Sequence, residues 1–387
     1  MRLAFRIPQT FYTLVALMFF LGAISLSSLF HNEEKPLIRI AVQAVIFLII
    51  MLIVFSAGPK SLRDTLWGLP VTALLSAITN SQYPLHLFLL TLVCLILIRR
   101  SERRDTDQWA YAAWVGAIIG LLINIALGDL GVAESKFYYV ITSDTTKNSL
   151  GFYNPNIAAM LAASTVIFSS LAKRRLAWIF SVVIFAYVLS ETYARTAAII
   201  LAIYYLNIII VYRLSSGIKR AVAVFIPLLS LFVVAFIMFM ELAPDLTQTE
   251  AFGLIDRTLS YRLSLAVPHL EDAALFFPGE APRNMDFALA NIIIVFGGVP
   301  LMVFLVLSTV VSMVMRKDHI NFYLMCSMIC FSSLFSENIA YIYMPVGLLF
   351  AAPFAYVIHH FSTAAAAVRA RSPEPFRLPT GQARDAP

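Results

Sequence analysis

The chain has 387 residues, 60% of them hydrophobic and only 13% charged, with a mean hydropathy of +0.83. A soluble domain is nearer half apolar and a quarter charged, so the composition excludes an ordinary water-soluble enzyme and points to a polytopic membrane protein. The net charge of +6 belongs to loops beside membrane spans, as set out below, which suits anionic lipid and not nucleic acid.

Apolar runs of the roughly 17–25 residues that a bilayer requires recur along the whole chain. They predict about twelve transmembrane helices, at 10–30, 36–57, 65–79, 83–98, 108–128, 155–172, 176–191, 196–212, 221–241, 288–314, 320–336 and 340–358. The first is too long for a removable signal peptide and lacks its small-residue cleavage site, so it is expected to stay as an anchor. The third and fourth are short, and "NSQYP" between them is compatible with a re-entrant turn. Residues 1–360 read as one transmembrane domain, and the tail at 361–387, rich in Ala, Arg and Pro, reads as disordered. Cys94, Cys326 and Cys330 all lie in apolar runs, with neither a disulfide framework nor a zinc spacing.

Charge gives an independent check, because cytoplasmic loops carry excess Lys and Arg. With Arg2 and Arg6 inside, the inner loops collect Lys60, Arg63, Arg99, Arg100, Arg103, Arg104, Lys173, Arg174, Arg175, Arg213, Lys219, Arg220, Arg316 and Lys317. Most of the 28 basic residues thus fall inside and most of the 22 acidic ones outside. Both termini are then cytoplasmic. The two longest non-membrane segments, 129–154 and 242–287, face outward, and any site is expected there.

Few cations remain on that acidic face, and they are the candidates. Arg195 opens a helix directly after "SETYA", where the helix dipole disfavours a cation. Arg257 and Arg262 lie in "LIDRTLSYRLSLAVPHLEDA", and Arg283 in "GEAPRNMDF". A guanidinium fork suits bidentate binding of phosphate and keeps its charge in a partly dry site. The bland reading is an arginine snorkelling to headgroups or paired with Glu191, Asp256 or Glu271. Leu259, Leu263, Ala266, Val267 and Leu270 share one face of an expected amphipathic helix on the outer surface, with Arg262 beside that stripe.

Asp286 stands at the threshold of the next helix, as a cap or as a group that accepts a proton from a sugar hydroxyl or orients it. Glu337 in "FSENIAYIYMP" is divided between structural pairing and function, and His269 between surface packing and a base. In "GFYNPNIAAM", Asn154, Pro155 and Asn156 form a helix-start device. No Walker loop, zincin helix or nucleophile elbow occurs. No predicted span carries a central Asp, Glu or Lys of the kind an ion pathway needs, which argues against a proton-coupled transporter.

Taken in order, "LGFYNPNIAAM", "SETYARTAAIILA", "LSYRLSLAVPHL", "MDFALANIIIVFGGVPLMVFL" and "SENIAYIYMP" resemble the O-antigen polymerase and ligase superfamily over most of residues 145–350. Each motif is short, and their order together with the long loop before the tenth helix carries the likeness. The resemblance implies a GT-C-type membrane fold and an inverting, metal-independent glycosyltransferase without cofactors, acting at the periplasmic face of a bacterial inner membrane. Its donor would be an undecaprenyl-diphosphate-linked glycan, with Arg195 and Arg262 holding the diphosphate and Asp286 at the acceptor. Arg257, Arg283, Asn154, Asn156 and Glu337 are the expected substrate-binding residues. The acceptor would be another lipid-linked glycan in a polymerase or lipid A-core in a ligase, and a chain-length regulator is a compatible partner. Ligases place a histidine where this chain has Asp286, which favours the polymerase. A flippase for the same lipid-linked glycans is an alternative from another class, but it would line a central path with polar residues.

Overall fold

The computed structural model describes residues 7–30, 36–101, 106–140, 145–242, 249–258, 264, 288–315, 317–334 and 343–371. Among these the chain is a helical membrane protein. Its helices are α1 (Ile7–Ser25), α2 (Pro36–Ala57), α3 (Pro59–Ile78), α4 (Tyr83–Ser101), α5 (Thr106–Asp129), α6 (Pro155–Leu171) and α7 (Arg175–Thr192). They continue with α8 (Arg195–Arg213), α9 (Ser216–Leu242), α10 (Glu250–Thr258), α11 (Ala288–Phe296), α12 (Gly298–Val314), α13 (Lys317–Leu334) and α14 (Val346–Arg371). The predicted apolar runs fall on described helices, because apolar length is a strong signal, but one of them, 288–314, is two helices. Sequence periodicity did not reveal a two-stranded antiparallel hairpin, β1 (Phe137–Val140) and β2 (Thr145–Asn148), paired Phe137 to Asn148.

Among the described residues, five helices are long and apolar enough to cross a membrane, and six if a bent pair counts as one span; five more apolar helices are shorter. The bent pair is α11 and α12, which meet at 110° where a continuous helix over 288–314 was expected. Gly297 makes the break: its φ of +83° is open to glycine and costly for other residues. At the next position Met238 of α9 approaches so closely that a Cβ on Gly298 would stand 1.8 Å from its Sδ. The last helix also departs from expectation, running through Arg371 and so into the segment read as tail.

Small residues set the tightest packing. Gly116 and Gly120, four apart on α5, let the backbone of α1 approach so closely that a Cβ on Gly116 would lie 2.0 Å from the Ala16 carbonyl oxygen. Such small-residue seams replace the hydrophobic drive that is absent between helices in lipid. α6 lies inside, buried from Ile157 through Ser169. On the exterior of α9, Phe225, Phe232 and Phe239 recur every seventh residue and are all exposed, an apolar stripe suited to acyl chains.

α3 and α4 form a hairpin turned through Asn80, which takes the left-handed conformation at φ +49°. Arg99 Nη2 binds Asp64 Oδ2 at 2.8 Å at the far ends of the two helices, so "NSQYP" is the turn of an antiparallel helix pair. That ion pair lies at the end of the bundle that gathers the basic loops. Lys173 Nζ to Asp107 at 3.1 Å, and Arg220 Nη2 donating to the Met315 carbonyl at 3.1 Å, tie the same end.

Candidate functional site

The opposite end carries Asn154, Asn156 and Arg195, and its local structure begins at the hairpin. After β2 the chain reverses through Leu150 (φ +51°) and Gly151 (φ +78°). The Gly151 carbonyl accepts from the Ser28 amide at 2.9 Å, and its N–H donates to Ser135 Oγ at 3.1 Å. A Cβ on Gly151 would stand 2.4 Å from the Asn124 carbonyl, so only glycine fits against α5. The Asn124 amide, itself buried, donates to Ala23 at 2.7 Å and joins α5 to the end of α1.

This knot delivers Asn154 to the start of α6. Its backbone is extended, its Oδ1 accepts from the Asn156 N–H at 2.8 Å, and Pro155 follows at the first helical position. The helix-start reading of the motif therefore holds: Asn154 satisfies an amide that the helix leaves open.

The second delivery is through the turn between α7 and α8. α7 ends at Tyr193, whose φ of +49° is left-handed, unusual for a bulky residue. Ala194 is buried, and Arg195 then opens α8 with its side chain exposed. Glu191, the nearest expected partner, instead accepts from Asn148 Nδ2 at 3.4 Å and thereby ties α7 to the hairpin. Among the described residues Arg195 makes no ion pair or hydrogen bond. The strain at Tyr193 and the bare cation occur side by side, and backbone strain of this kind is found where a position is over-determined by its surroundings.

α6 and α8 pack together and run in the same direction, so their N-termini open on one face. Two helix N-termini and a free guanidinium on one face give a local excess of positive potential. Arg257 is exposed in the last turn of α10, where the dipole favours a cation, so its placement is accounted for locally. Asp256 does not pair with it: the carboxylate is buried, 4% exposed, and its Oδ1 accepts from the Ser264 N–H at 3.1 Å. Arg262, Arg283, Asp286, His269, Glu271 and Glu337 lie outside the described residues, as does the apolar face from Leu259 to Leu270.

Sequence reasoning missed a polar cluster that joins α2, α4 and the segment before α14. Gln43 Nε2 donates to Tyr343 Oη at 2.8 Å and lies 3.3 Å from Gln82 Oε1, while His86 Nε2 meets Tyr343 Oη at 3.4 Å. A signal was present: Gln43 interrupts "RIAVQAVIFLII" and His86 interrupts "YPLHLFLL", and polar groups inside spans rarely lack a role. Among the described residues, no three His, Cys, Asp or Glu side chains come together as a metal site.

No family model, curated protein or solved structure matches the chain at a significant level, so the family expectation stands on its short motifs alone.

Proposed function

We propose that the protein is a polysaccharide polymerase that joins undecaprenyl-diphosphate-linked oligosaccharide repeats at the outer face of a bacterial inner membrane. In this reading the acceptor hydroxyl attacks the anomeric carbon of the donor, and the bond from that carbon to the diphosphate oxygen breaks with inversion. The hydroxyl proton passes to a base, for which Asp286 is the candidate. Charge develops on the departing diphosphate, and fixed cations meet it without reorganisation.

The observation that carries the reading is Arg195: exposed, free of carboxylate partners among the described residues, and set at a helix N-terminus beside that of α6. A cation held there is unfavourable for the isolated fold and favourable for a bound diphosphate. Arg262 is the proposed second clamp. Asn154 contributes by fixing where α6 begins, and positioning two lipid-anchored substrates supplies further acceleration.

The test is a glycan gel of a deletion strain complemented with wild type, Arg195→Ala, Arg262→Ala or Asp286→Asn, each confirmed in the membrane. A polymerase predicts lipid A-core with a single repeat when function is lost. Bare core with accumulating long carrier-linked chains would identify a ligase instead. A wild-type ladder from both arginine variants would remove the clamp.

A further inference from the structure

The basic end of the bundle contains a cavity that the proposed chemistry does not use. It measures about 320 Å³ and is lined by Val311, Val314, Met315, His319, Tyr356, His359, His360 and Thr363. Its walls are the end of α12 with Met315 beyond it, the first turn of α13 and the middle of α14. Small-ligand sites start at about 300 Å³, so the space suits a headgroup and exceeds what a single water-filled crevice needs.

Three imidazoles converge on it, yet no three ligating side chains among the described residues stand close enough to hold a metal ion. His319 lies edge-on to the Tyr356 ring, with centroids 6.0 Å apart, and neither His319 nor His360 makes a hydrogen bond or ion pair through its side chain among the described residues. Their ring N–H groups are donors available to a ligand. The Thr363 hydroxyl donates to the carbonyls of His359 and His360 at 3.0 and 2.8 Å, which leaves the imidazoles as the donors. A cation stands next to the wall: Arg220 Nη2 donates to the carbonyl of Met315, a lining residue, at 3.1 Å. The chemistry assembled is that of an anion site.

The surroundings identify the kind of anion. Val314, a lining residue, and Val310, Ile358 and Phe361, neighbours of lining residues in the chain, are 55%, 43%, 46% and 40% exposed, an apolar surface suited to acyl chains in a membrane protein. A soluble anion has no use for such a surface. A phosphate attached to acyl chains fits both parts, and basic pockets between helices on the cytoplasmic side are where anionic headgroups bind. We propose that this cavity binds the headgroup phosphate of an anionic membrane phospholipid, clamping α12, α13 and α14 together at the basic end. The inference is independent of the polymerase reading.

The purified full-length protein is unfolded thermally in mixed micelles while phosphatidylglycerol, phosphatidylcholine or inorganic phosphate is titrated. Wild type is expected to gain stability from phosphatidylglycerol at a concentration at least about tenfold lower than from phosphatidylcholine, a gap of about 1.4 kcal/mol. His319→Ala/His360→Ala is expected to lose that preference, and His360→Gln, the milder variant, to weaken it. Lys60→Ala/Arg63→Ala, which removes cations from the same end away from the cavity, is expected to keep it. Equal responses to the two lipids, or an undiminished preference in both histidine variants, overturn the proposal. So does loss of the preference in Lys60→Ala/Arg63→Ala, which would trace it to general surface charge. Inorganic phosphate reproducing the full effect overturns the lipid assignment.

Discussion

The two ends of the bundle solve the same packing problem with different chemistry. At the basic end, charged side chains hold helices together: Arg99 to Asp64, Lys173 to Asp107, and Arg220 to a carbonyl. At the other end, neutral amides, hydroxyls and glycine contacts do that work, through Gly151 on Ser28, Asn124 on Ala23 and Gln43 on Tyr343. Glu191, four residues before Arg195, is turned to Asn148. Arg99, Lys173 and Arg220 are thus structural parts, whereas Arg195 contributes no described contact to the fold. The same residue type carries opposite expectations, and mutation separates them.

The largest effect belongs to the shared scaffold. Gly116→Leu forces α1 from α5, because its Cβ would begin 2.0 Å from the Ala16 oxygen and helix backbones do not yield as side chains do. A loss above about 3 kcal/mol is expected, and with it the folded protein. Recovery of monodisperse protein after detergent extraction checks this; near-normal yield would show that the α1–α5 contact is not required. Next comes Arg195→Ala, expected to lower polymer formation by about a hundredfold, the scale of losing one fixed donor to a leaving group. Its stability should stay within about 0.5 kcal/mol of wild type, since no described contact is removed. A fall in stability equal to the fall in activity would make Arg195 structural. Arg99→Ala should show the reverse. Its side chain is 16% exposed and that of Asp64 26%, between the surface and buried regimes, so a loss of about 1–2 kcal/mol is expected with the product ladder retained.

How much of this was readable beforehand follows from the range of each signal. Spans are legible because burial in lipid demands long apolar runs, and Asn154-Pro155-Asn156 is legible because caps are local. The 110° break between α11 and α12 was only half legible: Gly297-Gly298 announced an irregularity, but not its angle nor the close approach of Met238 from another helix. The hairpin at 137–148 escaped notice because its residues show no clean alternation, and what fixes it is Ser149 receiving the Lys136 N–H at 2.8 Å. The freedom of Arg195 from Glu191 was not legible at all. The two are four residues apart across the break between α7 and α8, and the carboxylate is engaged by the hairpin's Asn148, which is distant in sequence.

The smallest expected effect concerns Lys173, and it tests how far the ion pairs of the basic end act on the fold. Lys173 follows α6 with φ +54°, a conformation that costs an L-residue about 1–2 kcal/mol. Its N–H donates to Ser170 and that of Arg174 to Ser169, at 3.0 and 3.3 Å, which is the helix-ending pattern that usually selects glycine. A lysine stands there with its ammonium 3.1 Å from Asp107, yet the two side chains are 75% and 48% exposed, so the pair contributes about 0.2–1 kcal/mol. Lys173→Ala keeps the backbone cost and loses the pair, so it should be the less stable by about 0.3 kcal/mol. Lys173→Gly loses the same pair but relieves the backbone, and should exceed the alanine variant by about 1 kcal/mol. Thermal unfolding of the two variants beside wild type gives the order. If glycine falls below alanine, the left-handed turn is not what limits this corner, and the Lys173–Asp107 pair cannot account for the difference because both variants lack it.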